Sequence, residues 1–129
     1  MNFHLKTVSF FGTCLANSEL TLVSQRISTP YSIKNISAHF ALNCARTLQL
    51  DFYISQDNDS PTSGRPSGFS TLGEYGQISY IVGDDETKNL ENFAHSQTSP
   101  SWIKVYAKNN DGFDHTIDVQ VTINIFPRE

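Results

Sequence analysis

The feature that most constrains this chain is an unbroken alternation near its C-terminus. Ile117, Val119, Val121, Ile123 and Ile125 alternate with Asp118, Gln120, Thr122 and Asn124. A period of two places all five aliphatic side chains on one face only if the backbone is extended, whereas on a helix they would be scattered around the axis. The set is β-branched throughout, which suits a strand packed between neighbours and predicts a central position. A slip of one residue would turn every one of these side chains to water, so the register is strongly specified.

The same period recurs elsewhere. Leu48, Leu50, Phe52 and Ile54 alternate with Gln49, Asp51 and Tyr53, and Ile36, Ala38, Phe40 and Leu42 alternate with Ser37, His39 and Ala41. Four weaker runs, at 3–11, 20–27, 77–82 and 102–107, complete the set. Between them stand turn signals. Residues 42–46 read as a short hairpin connection, and Asn109-Asn110-Asp111-Gly112 carries the Asp-Gly pair that favours a tight hairpin. Residues 57–76 hold Pro61 and Pro66 with several Gly and Ser, and so predict a surface loop rather than a strand. One segment reads as a short helix or an irregular loop: Asp84, Asp85 and Glu86 suit a helix N-terminus, and Leu90, Phe93 and Ala94 follow at helical spacing. Seven or eight strands with at most one short helix predict an all-β fold, an antiparallel β-sandwich or jelly roll.

At 129 residues and 14.4 kDa the chain is long enough for one well-buried core and too short for two, so residues 1–129 are expected to form a single domain. Thirteen acids against nine bases leave a net charge of −4, and the bases are dispersed, which argues against a nucleic-acid groove. No apolar run approaches the ~20 residues of a membrane-spanning helix. The stretch around Val8, Phe10 and Phe11 is broken by Ser9, Gly12 and Thr13, and reads as a first strand and its turn rather than a signal peptide.

No spacing dictates a chemistry. His4, His39, His95 and His115 lie far apart and form no metal-binding or zinc-protease pattern, and no Gly-x-Ser-x-Gly elbow accompanies them. Cys14 and Cys44 are compatible with one bridge or with two reduced thiols. Cys44 sits in a turn beside Arg46 with no partner base named by the sequence, so a structural thiol is expected. Three acidic or amide-rich clusters, at 57–59, 84–86 and 109–114, could offer oxygen ligands to Ca²⁺, but ordinary turn chemistry accounts for them. The expectation is a protein without catalytic residues, metal or cofactor.

The remaining hint is aromatic. Tyr53, Trp102 and Tyr106 fall on the outward faces of their strands. Such rings can stack on a sugar or pack against another protein, or they can be covered by the long loop; both readings stand on the sequence.

Two stretches, taken together, carry a resemblance. Residues 28–41, from Ser28-Thr29-Pro30-Tyr31 through His39-Phe40-Ala41, are followed by Arg46-Thr47-Leu48-Gln49-Leu50-Asp51-Phe52-Tyr53-Ile54-Ser55. Trp102-Ile103-Lys104-Val105-Tyr106-Ala107-Lys108-Asn109-Asn110-Asp111-Gly112 leads to His115-Thr116-Ile117-Asp118-Val119 and the last strand. This layout resembles small all-β virion proteins of tailed bacteriophages. The resemblance implies a structural role, above all capsid decoration (cement), with a tail position also open. It implies virion partners such as a major capsid protein, homo-oligomers of closed symmetry, often threefold on capsids, and a virion location after synthesis in the host cytoplasm with reduced cysteines. It carries no functional residue, because such proteins act through whole surfaces. The competing expectation is a carbohydrate-binding β-sandwich module with Tyr53, Trp102 and Tyr106 as its stacking platform and an acidic loop holding Ca²⁺.

Overall fold

The computed structural model describes residues 4–42, 44–61, 64–70, 80–91, 96–97 and 100–125. Among these, nine strands build two antiparallel sheets: β1 (His4–Cys14), β2 (Glu19–Val23), β3 (Tyr31–Phe40), β4 (Leu48–Ser55), β5 (Phe69–Ser70), β6 (Glu86–Glu91), β7 (Ser96–Gln97), β8 (Trp102–Asn109) and β9 (His115–Ile125). One sheet runs β1-β9-β3-β6, with β7 pairing the start of β3; the other runs β2-β8-β4-β5. Seven of the strands have five or more residues, and no described residue is helical. The fold is an all-β sandwich.

The alternating strand is central, as its composition predicts. β9 pairs with β1 in a register that sets Val121 beside Val8 and Val119 beside Phe10. On its other side Val121 faces Ile36 and Val119 faces Ala38. From the opposite sheet Leu50 lies beside Ala107, Phe52 beside Val105 and Ile54 beside Ile103. All of these except the partly covered Val8 are buried, so the two inner faces form one continuous core.

Strand β3 owes its geometry to one extra residue. Its register against β9 shifts between Ile33 and Asn35, leaving exposed Lys34 as a bulge. The bulge moves the inward positions from Tyr31 and Ile33 to Ile36, Ala38 and Phe40, so both halves of an apparently out-of-phase sequence face the core.

Four sequence expectations need correction. The segment expected from Asp84 to be a short helix or an irregular loop is a bend at Asp84 and Asp85 followed by the strand β6: Ile36 lies beside Leu90 and Ala38 beside Lys88, and pairing with the open edge of β3 outweighs helical spacing. Phe93 and Ala94 lie outside the described residues. Leu42 does not continue the inward run; β3 ends at Phe40, and Leu42 stands exposed in the following turn. The run expected at 20–27 ends at Val23, with Ile27 reaching only an isolated bridge to Ser101. Of the run expected at 77–82, positions 77–79 lie outside the described residues, and Ile81 makes a single bridge to Leu50.

The turns are also of a different kind from those expected. β3 and β4 belong to different sheets, as do β8 and β9 and likewise β1 and β2. The connections from β3 to β4 and from β8 to β9 are therefore arches between layers, not hairpins. Asn17, Ala45, Arg46 and Asp85 adopt left-handed backbone in these arches and in the turn before β6. All of them gather at one end of the sandwich.

Candidate functional site

Three surfaces are candidates: the outer face of the β2-β8-β4 sheet, the outer face of the β1-β9-β3 sheet, and the end where the arches meet.

The first carries the aromatic residues singled out by the sequence. Tyr53 and Tyr106 do point outward, but the described parts of the loop after β4, residues 56–61 and 64–68, lie over them and both are buried, while Trp102, at the start of β8, stays half-buried. The loop is fastened by charge. Lys104, fully buried on the same face, donates from Nζ to Asp57 Oδ1 at 2.7 Å and to Ser67 Oγ at 3.1 Å. The Ser67 hydroxyl donates to Asp57 Oδ2 at 2.5 Å. Arg65 Nη1 donates to Asp51 Oδ2 at 2.6 Å and to Tyr53 Oη at 2.7 Å, and its guanidinium lies 5.2 Å from the centre of the Tyr106 ring. Tyr106 Oη donates to Glu19 Oε1, and the Gly64 amide donates to Glu19 Oε2 at 3.0 Å. Gly68 presses so close that a Cβ there would meet Ile54 O at 2.6 Å, in a left-handed conformation that favours glycine.

These contacts set the ionisation of the layer. The Lys104 ammonium, aided by Ser67, holds Asp57 far below the usual carboxylate range. The Tyr106 hydroxyl, then the Gly64 amide, pull Glu19 down. Burial, followed by the neighbouring Glu19 carboxylate, pushes the Tyr106 phenol far up. The face therefore works as a seal: with the loop in place, neither tyrosine presents a ring to a sugar. Asp57, the first acid of the 57–59 cluster, is occupied by Lys104, Ser67 and the Asp59 amide. Among the described residues no three His, Cys, Asp or Glu side chains converge as metal ligands.

The second surface is open. Thr7, Ser9 and Thr13 of β1, Thr116, Gln120 and Thr122 of β9, and Ser37 and His39 of β3 line it, with exposed Leu5 and Phe11 along the β1 edge. His39 Nδ1 shares a 3.0 Å hydrogen bond with Thr87 Oγ1 across to β6.

The third surface brings together residues that the sequence keeps apart. Cys44 Sγ lies 3.7 Å from His115 Nδ1, and His115 Nε2 lies 2.9 Å from Asp111 Oδ2 and 3.4 Å from Thr47 Oγ1. Nothing in the sequence pairs Cys44 with a base 71 positions away. A thiol, an imidazole and a carboxylate in this order have the connectivity of a nucleophile, its base and an orienting group. Here Cys44 is fully buried, and burial pushes its thiol above the ordinary range, so the sulfur is closed to substrate. Cys14, on β1 beside His115, is likewise buried, unbridged and pushed up by burial. The imidazole instead draws down the Asp111 carboxyl and braces the β3–β4 arch against the β8–β9 arch.

Backbone bonds lock the same end. The Asn17 amide donates to Asp111 O at 2.9 Å, Arg46 to Gly83 O at 3.1 Å and Asn110 to Thr47 O at 3.0 Å. The Asp114 carboxylate accepts from the Ala16 amide at 2.8 Å. Asn109, buried at the end of β8, donates from Nδ2 to the carbonyls of Cys14, Leu15 and Phe113. Above this braced base opens a cleft of about 530 Å³ lined by Leu42, Asp111, Phe113, Asp114 and His115. Phe113 is 75% exposed, Leu42 65% and Leu15 59%. No sequence signal marked Leu42 or Phe113 as surface residues, because their exposure follows from the arches.

No protein-family model matches the chain, and no curated protein sequence matches it. Solved structures similar to it include the Yersinia pseudotuberculosis-derived mitogen, at 14% identity and a TM-score of 0.42 over 96% of this chain and 89% of that one. They also include the structure of infectious bursal disease virus Gt strain, at 11% identity and a TM-score of 0.48 over 95% of this chain and 32% of that one. A third is a family two carbohydrate esterase from Cellvibrio japonicus, at 11% identity and a TM-score of 0.43 over 97% of this chain and 35% of that one. The chain spans about a third of the viral and esterase chains. At these scores none of the three bears on what the protein does.

Proposed function

We propose that the protein is a structural virion component of a tailed bacteriophage, a capsid decoration protein that acts by binding its neighbours rather than by chemistry. The observation that carries the reading is the placement of its exposed large hydrophobics. Leu15, Leu42 and Phe113 stand at the arch end, and Leu5 and Phe11 on the open face of β1. Apolar side chains grouped on rigid turns, rather than scattered singly, mark a surface meant to be covered by another protein. The bacteriophage assignment itself rests on the resemblance of the two sequence stretches. The sealed tyrosines weigh against the alternative of a sugar-stacking platform.

The test is composition of the particle. Particles purified from the phage that encodes the chain should contain it in fixed stoichiometry by mass spectrometry, and the isolated protein should return to particles stripped of it, as read by co-sedimentation. The isolated protein should also show a native mass above that of one chain. A compact monomer that neither occurs in particles nor rebinds them would overturn the reading.

A further inference from the structure

We infer that the arch-end cleft is a docking site for a basic segment of another protein chain with apolar residues between its bases. The inference deepens the structural-protein reading above and rests on it for the identity of the neighbour alone.

Two observations meet at the cleft. The first is apolar: Leu42 and Phe113 line it and are the most exposed large hydrophobics of the three arches. The second is charge. Asp111 and Asp114 line the cleft, and Asp84 and Asp85 stand beside it, because the Asp85 amide donates to Ala41 O and the Gly83 carbonyl accepts from Arg46. Burial, and after it the Asp84 and Asp111 carboxylates, raise the Cys44 thiol, so both acids are within electrostatic reach of this arch. Against four acids, these turns carry a single base, Arg46. Asp111 and Asp114 are engaged by His115 and the Ala16 amide, whereas the Asp84 and Asp85 carboxylates make no hydrogen bond or ion pair with the described residues.

The complement of this surface is a chain of opposite sign whose apolar side chains fill the cleft while its bases meet the rim. Lys and Arg suit such a place, since their aliphatic stems cover apolar surface while their heads stay with the carboxylates. Charge of one sign around an apolar patch also steers the encounter and rejects acidic partners. The arches are held by hydrogen bonds, so little ordering is lost on binding. A second copy of this chain, acidic and with its bases dispersed, lacks that complementarity.

The probe is a short synthetic peptide alternating Arg and Leu, with a Glu–Leu peptide as its counterpart, followed by fluorescence anisotropy and by NMR shift mapping on the full chain. The Arg–Leu peptide should bind and shift Leu42, Asp84, Asp85 and Phe113, and the Glu–Leu peptide should not bind. Phe113→Ser, at an exposed position, should weaken binding about 3- to 10-fold, in the range of an interface residue that is not a dominant anchor. Asp84→Asn with Asp85→Asn, which keeps a residue type tolerant of the left-handed backbone at 85, should weaken it by a similar factor and flatten its salt dependence. Equal binding of both peptides, shifts confined to the outer face of β1 and β9, or indifference to both variants would overturn the site. Self-association abolished by Phe113→Ser would make the occupant a second copy and overturn the proposal as well. Both variants should rebind stripped particles more weakly than the parent. Undiminished rebinding would overturn the docking site while leaving the virion reading intact. Peptide binding at these residues by a protein that no particle contains would overturn the virion reading and leave the docking site standing.

Discussion

Truncating Val121 to Ala tests the core on which every surface depends. Val121 is fully buried at the centre of β9, with Val8 on one side and Ile36 on the other. Losing two methyl groups forfeits about 1.6 kcal/mol of transfer free energy at ~0.8 kcal/mol per buried carbon. The space left, roughly 50 Å³, adds up to about 1.2 kcal/mol if the flanking strands do not close on it. Collapse is limited, because Val8 and Ile36 are each held by backbone ladders to β9. The expected cost is therefore about 1.5–3 kcal/mol. Gln120, one residue earlier, is exposed between Ser9 and Ser37, so Gln120→Ala should cost less than about 0.5 kcal/mol. In urea melts with a slope near 1–2 kcal/mol/M, Val121→Ala should lower the midpoint by about 0.8–3 M, with the slope unchanged, while Gln120→Ala moves it by less than about 0.5 M. Equal tolerance at the two positions would refute the assignment of faces and, with it, the register of the central strand. A Gln120 effect that appears only when the protein is bound to particles would mark the outer face of this sheet as a second interface.

The loop clasp should respond unequally to its two partners: Asp57→Ala strands a fully buried ammonium and should destabilise the protein more than Lys104→Met, which leaves a half-exposed carboxylate that water can satisfy, and matched urea melts compare them. Asp57, Glu19 and Asp111 all have folded pKa values below their unfolded ones, so the stability they add is present above the ordinary carboxylate range, at about pH 4, and is lost as pH falls through their folded values. Hydrogen exchange at the Gly64 amide, read below pH 4 against amides of β9, should show the loop loosening first; uniform behaviour of the two would contradict the clasp. Thiol labelling should find two reactive cysteines in unfolded, unreduced protein and slow labelling in the native state, since Cys14 and Cys44 are both buried and unbridged; fast native labelling of Cys44 would mean that the arch end opens.

The alternation of Ile117–Ile125, of Leu48–Ile54 and of Ile36–Phe40 determined the β class, the inner faces and the central place of the last strand. These are properties that a period of two and β-branching impose on neighbouring residues, and neighbours are what a sequence displays. The outward direction of Tyr53 and Tyr106 was legible for the same reason, but their burial was not, because it depends on a loop whose Arg65 and Asp57 find Asp51 and Lys104 across the fold. The local sequence read two turns as hairpins, whereas both carry the chain to the other sheet. Asp111-Gly112 and the turn after Phe40 offer the same local chemistry in either case, and only the pairing of β3 with β9 and of β4 with β8 decided it. The strand at Glu86 came from the vacant edge of β3, against the local spacing of its own residues. The arch end, with Cys44 against His115 and with Leu42 and Phe113 at its cleft, was decided wholly by tertiary structure. Its residues come from four separate turns, and their proximity follows from the packing of the two sheets rather than from any pattern within a turn.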